Sequence, residues 1–147
     1  MPRIVESTFL AHPIERVFAF VGDAANNAAW HAHVEGTTWL DDGPMRVGRQ
    51  GLQISRIFGR TWAITAEIVE WHPPNAVAWR VVQGPSLRTS IRLAPEDGGT
   101  RLTLALEAGP TLRGPLGRLL DRAAGRLARS QGEADLARLR AALKAEP

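Results

Sequence analysis

A chain of 147 residues, 44% hydrophobic and 22% charged, is sized and composed for a single globular domain, residues 1–147, with a core of its own. The absence of cysteine excludes disulfides, thiolate metal sites and cysteine nucleophiles. No stretch reaches the roughly 18 apolar residues of a membrane span, and Met1–Ser7 lacks the apolar core of a signal peptide, so a cytoplasmic protein is expected. The formal charge of +3 arises within residues 112–133, where Arg113, Arg118, Arg122, Arg126 and Arg129 outnumber Asp121 and Glu133.

Residues 3–10, rich in Ile, Val, Thr and Phe, read as a strand. His12-Pro13 ends it, and Pro13 presets the first turn of a helix running to about Val21. Gly22-Asp23 separates a second short helix, N-capped by the Asp23 carboxylate and carrying Trp30 near its end. Turn signals follow at Asp41-Asp42-Gly43-Pro44, Phe58-Gly59, Pro73-Pro74-Asn75, Gly84-Pro85 and Asp97-Gly98-Gly99. They mark off about six further strands, joined mostly as antiparallel hairpins.

The strands alternate. One face is predicted to carry Leu52, Ile54 and Phe58, then Trp62, Ile64, Ala66 and Ile68, then Val77, Trp79 and Val81. Leu87, Ile91 and Leu93, and then Leu102, Leu104 and Leu106, continue it. The opposite positions hold Thr65, Glu67, Arg88, Ser90, Arg92, Arg101 and Thr103, so the sheet has one dry face and one wet face.

Gly114-Pro115 opens a last helix that continues to about Lys144, roughly 45 Å long. Leu116, Leu120, Ala123, Ala124 and Leu127 share a side predicted to face the sheet. Leu136, Leu139 and Leu143 fall on a different side, which predicts a kink or repacking near Ser130-Gln131-Gly132. Arg118, Arg122, Arg126 and Arg129 form one stripe, read as a solvated helix back. Docking of this stripe on an anionic membrane is the less favoured alternative.

One narrow helix, thinned by Gly117, Gly125 and Gly132, cannot fill the concave side of so long a sheet, which predicts an interior cavity. Its expected walls are Trp30, Leu52, Ile54, Trp62, Ile64, Trp79, Leu87, Leu116 and Leu120. Polar residues on the dry parity need a partner, an internal bond, water or a ligand. Gln50 and Thr89 are the stronger ligand candidates and, with Glu70, the weak candidates for catalysis. His31 and His33 read as loop histidines rather than a metal pair, because no third ligand is evident in the sequence. His12 and His72 precede prolines in turns and read the same way.

The order and spacing of several short pieces resemble the SRPBCC (START-like, helix-grip) superfamily and, within it, the bacterial polyketide cyclase/dehydrase-like group. The pieces are Phe9-x-Ala11-x-Pro13-x-x-x-Val17-Phe18, Asp23 with Trp30, Gly43-Pro44-x-x-Val47-Gly48, and Ile68-Val69-Glu70-Trp71-His72-Pro73-Pro74. Gly99-Thr100-Arg101-Leu102-Thr103 and Asp135-Leu136-x-x-Leu139-Arg140 complete them. The resemblance implies an α+β helix-grip fold, a curved antiparallel sheet of about seven strands around a long C-terminal helix, with two short helices after the first strand. It also implies a hydrophobic tunnel that takes a small lipid- or polyketide-like molecule, with polyketide cyclase/dehydratase chemistry as the alternative. No cofactor, metal or nucleic acid is expected, and the chain is expected as a monomer or homodimer.

Overall fold

Seven strands form one antiparallel sheet in the order β1-β7-β6-β5-β4-β3-β2. The computed structural model of the chain describes residues 3–57, 59–84, 86–108 and 114–145; the side chains of 57, 114–121, 123–125, 127 and 128 lie outside the described set. In chain order the elements are β1 (Arg3–Leu10), α1 (Ile14–Val21), a single 3₁₀ turn (Ala24–Asn26), α2 (Asn27–Trp30), β2 (Val34–Trp39), β3 (Gln50–Ile57) and β4 (Arg60–His72). β5 (Ala76–Gln83), β6 (Leu87–Glu96), β7 (Gly99–Ala108) and the long α3 (Gly114–Ala145) follow. β1 and β2 are neighbours in sequence but occupy opposite edges of the sheet, so α1 and α2 must cross from one edge to the other.

That crossing divides the concave side in two. Leu10, Val77, Leu93 and Leu102 cluster with Val17, Phe18 and Val21 of α1, Trp30 of α2, and Leu136, Leu139 and Leu143 of α3. These strand residues come from the C-terminal ends of β1 and β6 and the N-terminal ends of β5 and β7, which antiparallel register brings to one end of the sheet. Among the described residues, no such cluster fills the other end, from Ile4↔Leu106 to Leu87↔Ala108. The sequence expectation of room beneath the sheet holds there.

Polar contacts fix the packed end. Arg16 Nη2 donates to the Leu143 carbonyl (2.6 Å), meeting one of the unpaired carbonyls of the last turn of α3. Arg140 Nη1 donates to Thr8 Oγ1 (2.9 Å) and ties the same helix to β1. α3 is one continuous helix through Ser130-Gln131-Gly132. The predicted change of face along it involves Leu116, Leu120 and their neighbours, which lie outside the described side chains. Arg122, Arg126 and Arg129 of the basic stripe are exposed, and Arg118 lies outside the described side chains. No helix among the described residues is long and apolar enough to cross a membrane.

Gly132 brings α3 close to β1: a Cβ built there meets Glu6 Cγ at 3.4 Å, an ordinary contact with a flexible side chain. Gly132→Ala should therefore raise the unfolding free energy by about 0.5–1 kcal/mol, the helix-propensity difference, in a urea titration followed by circular dichroism.

Two irregularities reset the alternation. The register of β4 against β5 shifts between Ile68 and Glu70. Beyond it Trp71 turns inward and packs on Phe18, with ring centroids 5.1 Å apart. Glu70 turns outward, to Arg92 (3.1 Å), Arg88 (3.6 Å) and His72 (3.8 Å). β3 departs from its expected parity altogether. Gly51 pairs with Ala66 and Gln53 with Ile64, whereas Leu52 and Ile54 pair with Thr65 and Ala63. Directly opposed residues share a face, so Gly51, Gln53 and Ser55 point inward and Leu52 and Ile54 outward.

Candidate functional site

The unplugged end of the sheet encloses a cavity of about 280 Å³. Its two walls differ in character. The wall from β4 to β7 is apolar apart from Thr89, with Ile64 and Ala66 of β4, Trp79 and Val81 of β5, Leu87 of β6 and Leu106 of β7, and β1 adds Ile4 and the Glu6 carboxylate beside it. The facing wall, from α2, β2, β3 and α3, is largely polar: Asn27, His31, His33, Thr37, Gln53, Gln131 and Asp135. A second hollow of about 220 Å³ shares His33, Gln131 and Asp135 with the first and adds Ala32, Arg56 and Ala134.

The polar wall is assembled by the end of α2. His31 is its C-cap, in an extended conformation that turns the chain toward β2, and its N–H donates to the Asn27 carbonyl (2.8 Å). Asp135 projects from α3 onto this turn and is 5% exposed. Its Oδ1 accepts from the Ala32 N–H (3.2 Å) and its Oδ2 from His31 Nδ1 (3.0 Å). A carboxylate accepts only, so His31 Nδ1 carries a hydrogen directed at Asp135. The His31 ring lies on the Trp30 indole at 3.7 Å between centroids, and His33 stands edge-on to it at 5.7 Å. Burial, and then the neighbouring His31, push the His33 imidazole below its ordinary pKa against the opposing pull of Asp135. His33 is therefore neutral at physiological pH.

Further along the same wall, Asn27 Nδ2 donates to Gln53 Oε1 (3.4 Å) and Gln53 Nε2 to the buried Ser55 Oγ (3.0 Å). Thr37 Oγ1 is buried with no hydrogen-bond partner. Trp39 faces inward and stacks on Trp79 at 5.9 Å. Its Nε1 donates to Asp23 (3.1 Å), and the Arg49 guanidinium lies 4.2 Å over its ring. Arg49 is in turn held by Asp41, whose carboxyl the Arg46 guanidinium and the Gly43 N–H lower to about 2. The β2–β3 loop thus braces the aromatic wall.

Of the residues expected to form the site, Ile64, Trp79, Leu87 and Thr89 line the cavity together. Trp30, Trp62, Gln50, Leu52, Ile54 and Glu70 lie elsewhere. Trp30 is 0% exposed and belongs to the packed core, with Nε1 unpaired. Trp62 has the inward parity but lies beyond the rim, 44% exposed beneath Arg60. Gln50, Leu52 and Ile54 lie on the outer parity of β3, and Glu70 is turned outward by the bulge. Leu116 and Leu120 are outside the described side chains. The residues that sequence reasoning passed over are His31, His33, Gln53 and Asp135. Asp135 was visible as the first residue of a recognised piece of the pattern, yet nothing local marks it as the partner of a histidine 104 positions away. It is also the third group that His31 and His33 lacked: one donor atom from each of the three residues lies within 4.8 Å of the others.

A family model described as "Polyketide cyclase / dehydrase and lipid transport" matches residues 1–144. The chain belongs to this polyketide cyclase/dehydrase and lipid transport family. Solved structures similar to this family member include TTHA0849 from Thermus thermophilus, at 21% identity and a TM-score of 0.80 over 98% of both chains. The Zhui aromatase/cyclase from Streptomyces sp. R1128 is 15% identical, with a TM-score of 0.79 over 97% of this chain and 93% of that one. Protein Ms6760 from Mycobacterium smegmatis is 18% identical, with a TM-score of 0.71 over 99% and 92%. At these identities the likeness is one of fold: the helix-grip sheet and long C-terminal helix recur. A search of curated proteins finds no match for this family member.

Proposed function

We propose that the chain encloses one small, largely apolar molecule, lipid- or polyketide-like, against the sheet wall and orients it by a polar group facing His31, His33, Gln53 and Thr37. The observation that carries this reading is the contrast between the two walls of one cavity. About 280 Å³ is close to the lower bound of roughly 300 Å³ for small-molecule sites. Apolar burial at about 25 cal/mol per Å² supplies the drive, and a few fixed polar groups supply orientation. The unpartnered Thr37 Oγ1 is available to such a group. The family description, which names both polyketide chemistry and lipid transport, supports the ligand class.

Ala66 points into the cavity from the sheet wall, so enlarging it fills the space a ligand needs. Ala66→Phe should weaken binding of the neutral fluorescent probe phenylnaphthylamine by at least about tenfold. The thermal midpoint should stay level or rise, because the added ring enters open volume rather than packed core. Unchanged probe affinity in this variant would remove the cavity from consideration. Mass spectrometry of untagged protein under native conditions identifies any compound retained from the host.

A second reading, cyclisation or dehydration of a poly-β-ketone chain, is favoured by the His31–Asp135 pair. A carboxylate that fixes the tautomer of an imidazole is the arrangement of a general base. The aromatase/cyclase named among the similar structures supports the substrate class.

A further inference from the structure

Two imidazoles and one carboxylate converge on the polar wall from separate elements, His31 and His33 from the α2–β2 turn and Asp135 from α3. We propose that these three side chains bind a single divalent transition-metal ion, zinc by preference, whose remaining coordination position opens onto the cavity. The inference rests on the reading of this wall as part of a ligand cavity, and it adds to that reading a group able to grip the ligand's oxygen.

The donor set comes first. Two nitrogens and one carboxylate oxygen suit zinc and its first-row neighbours, and three protein ligands with one open position is the pattern of zinc sites that act on a bound molecule. Distance comes second. Two metal–ligand bonds of 2.0–2.1 Å at a tetrahedral angle hold their donors about 3.3 Å apart. His31 Nδ1 and Asp135 Oδ2 stand at 3.0 Å, and all three donors fall within 4.8 Å, close to the separation a bound ion imposes. Coordination through Nδ1 moves the His31 ring proton to Nε2 and leaves the ring neutral. Support comes third, since the Ala32 N–H already holds Asp135 Oδ1 and thereby aims Oδ2. The surroundings are compatible as well. Glu6 lines the same cavity, and Arg56, the cation of the adjoining hollow, faces Glu35 at 3.7 Å.

The chain has four histidines and no cysteine, so metal binding is readily assigned. Untagged full-length protein, stripped with a chelator, is titrated with Co²⁺ and then Zn²⁺. The expected result is one equivalent of Co²⁺ with the visible absorption of a low-coordinate site, displaced by Zn²⁺. His33→Ala and Asp135→Asn should each weaken Co²⁺ binding by more than about 100-fold, beyond what loss of a supporting partner costs. His12→Ala and His72→Ala should bind as the parent does. Circular dichroism confirms folding, and His33→Ala decides the matter should Asp135→Asn be unfolded. No stoichiometric binding, binding that survives His33→Ala, or binding lost with His72→Ala overturns the proposal. Phenylnaphthylamine binding by the stripped protein reports the cavity separately, so failure of the metal site is distinguishable from failure of the pocket.

Discussion

Trp30→Ala should lower the unfolding free energy by about 3 kcal/mol, the lower end of the range for truncating a buried tryptophan. Trp30 is fully buried in the same core cluster as Val17, Phe18 and Leu139, so its removal opens a void in that core. The loss stays at the lower end because the indole Nε1 is buried without an acceptor, a desolvation cost of about 1–3 kcal/mol that the substitution relieves. Trp30→Phe keeps most of the ring and discards the orphan donor, so it should cost far less than the alanine variant. Denaturant titration followed by circular dichroism measures both. A loss below about 1 kcal/mol for the alanine variant would mean that the indole is not packed as found. Phenylnaphthylamine affinity separates core from cavity wall: it should be little changed in Trp30→Phe, as this side chain does not line the cavity.

Asp135→Ala removes the single carboxylate that receives both the Ala32 N–H and His31 Nδ1. Two donors at a nearly buried site then lack a partner, and the expected loss is about 2–3 kcal/mol. Asp135→Asn keeps an acceptor for Ala32 and should recover about half of it. The asparagine variant is also the sharper test of chemistry. It leaves the sheet wall intact but no longer dictates which nitrogen of His31 carries the proton. If the protein cyclises or dehydrates a poly-β-ketone substrate, kcat for a short poly-β-ketone thioester should drop by about 10²–10⁴-fold with KM nearly constant. An unaltered kcat in a folded Asp135→Asn protein would strike the pair from the reaction.

The sequence made the architecture legible because the drying of one sheet face is a period-two signal that β4 up to its bulge and β5 to β7 obey. Ile64, Trp79, Leu87 and Thr89 line the cavity for that reason. The same rule misplaced β3, where the larger hydrophobics, Leu52 and Ile54, lie on the outer face and the cavity side carries Gly51, Gln53 and Ser55. A cavity wall has no need of bulk, so hydrophobicity alone points the wrong way there. The bulge at Ile68–Glu70 inverted Trp71 and Glu70, and a one-residue shift in strand pairing leaves no mark in composition. The histidine–carboxylate cluster was hidden for another reason: its parts come from two ends of the chain, and only the packing of α3 against α2 brings them together.

The placement of β1 carries a consequence for how the chain is made. Its register runs Arg3↔Glu107 to Leu10↔Thr100, and among the described residues β7 is its sole neighbour in the sheet. β1 therefore waits for β7, while the β2–β7 meander closes hairpin by hairpin from local contacts. Until that late closure β1 presents an unsatisfied edge, and the sheet gains its last strand only once β7 has been made.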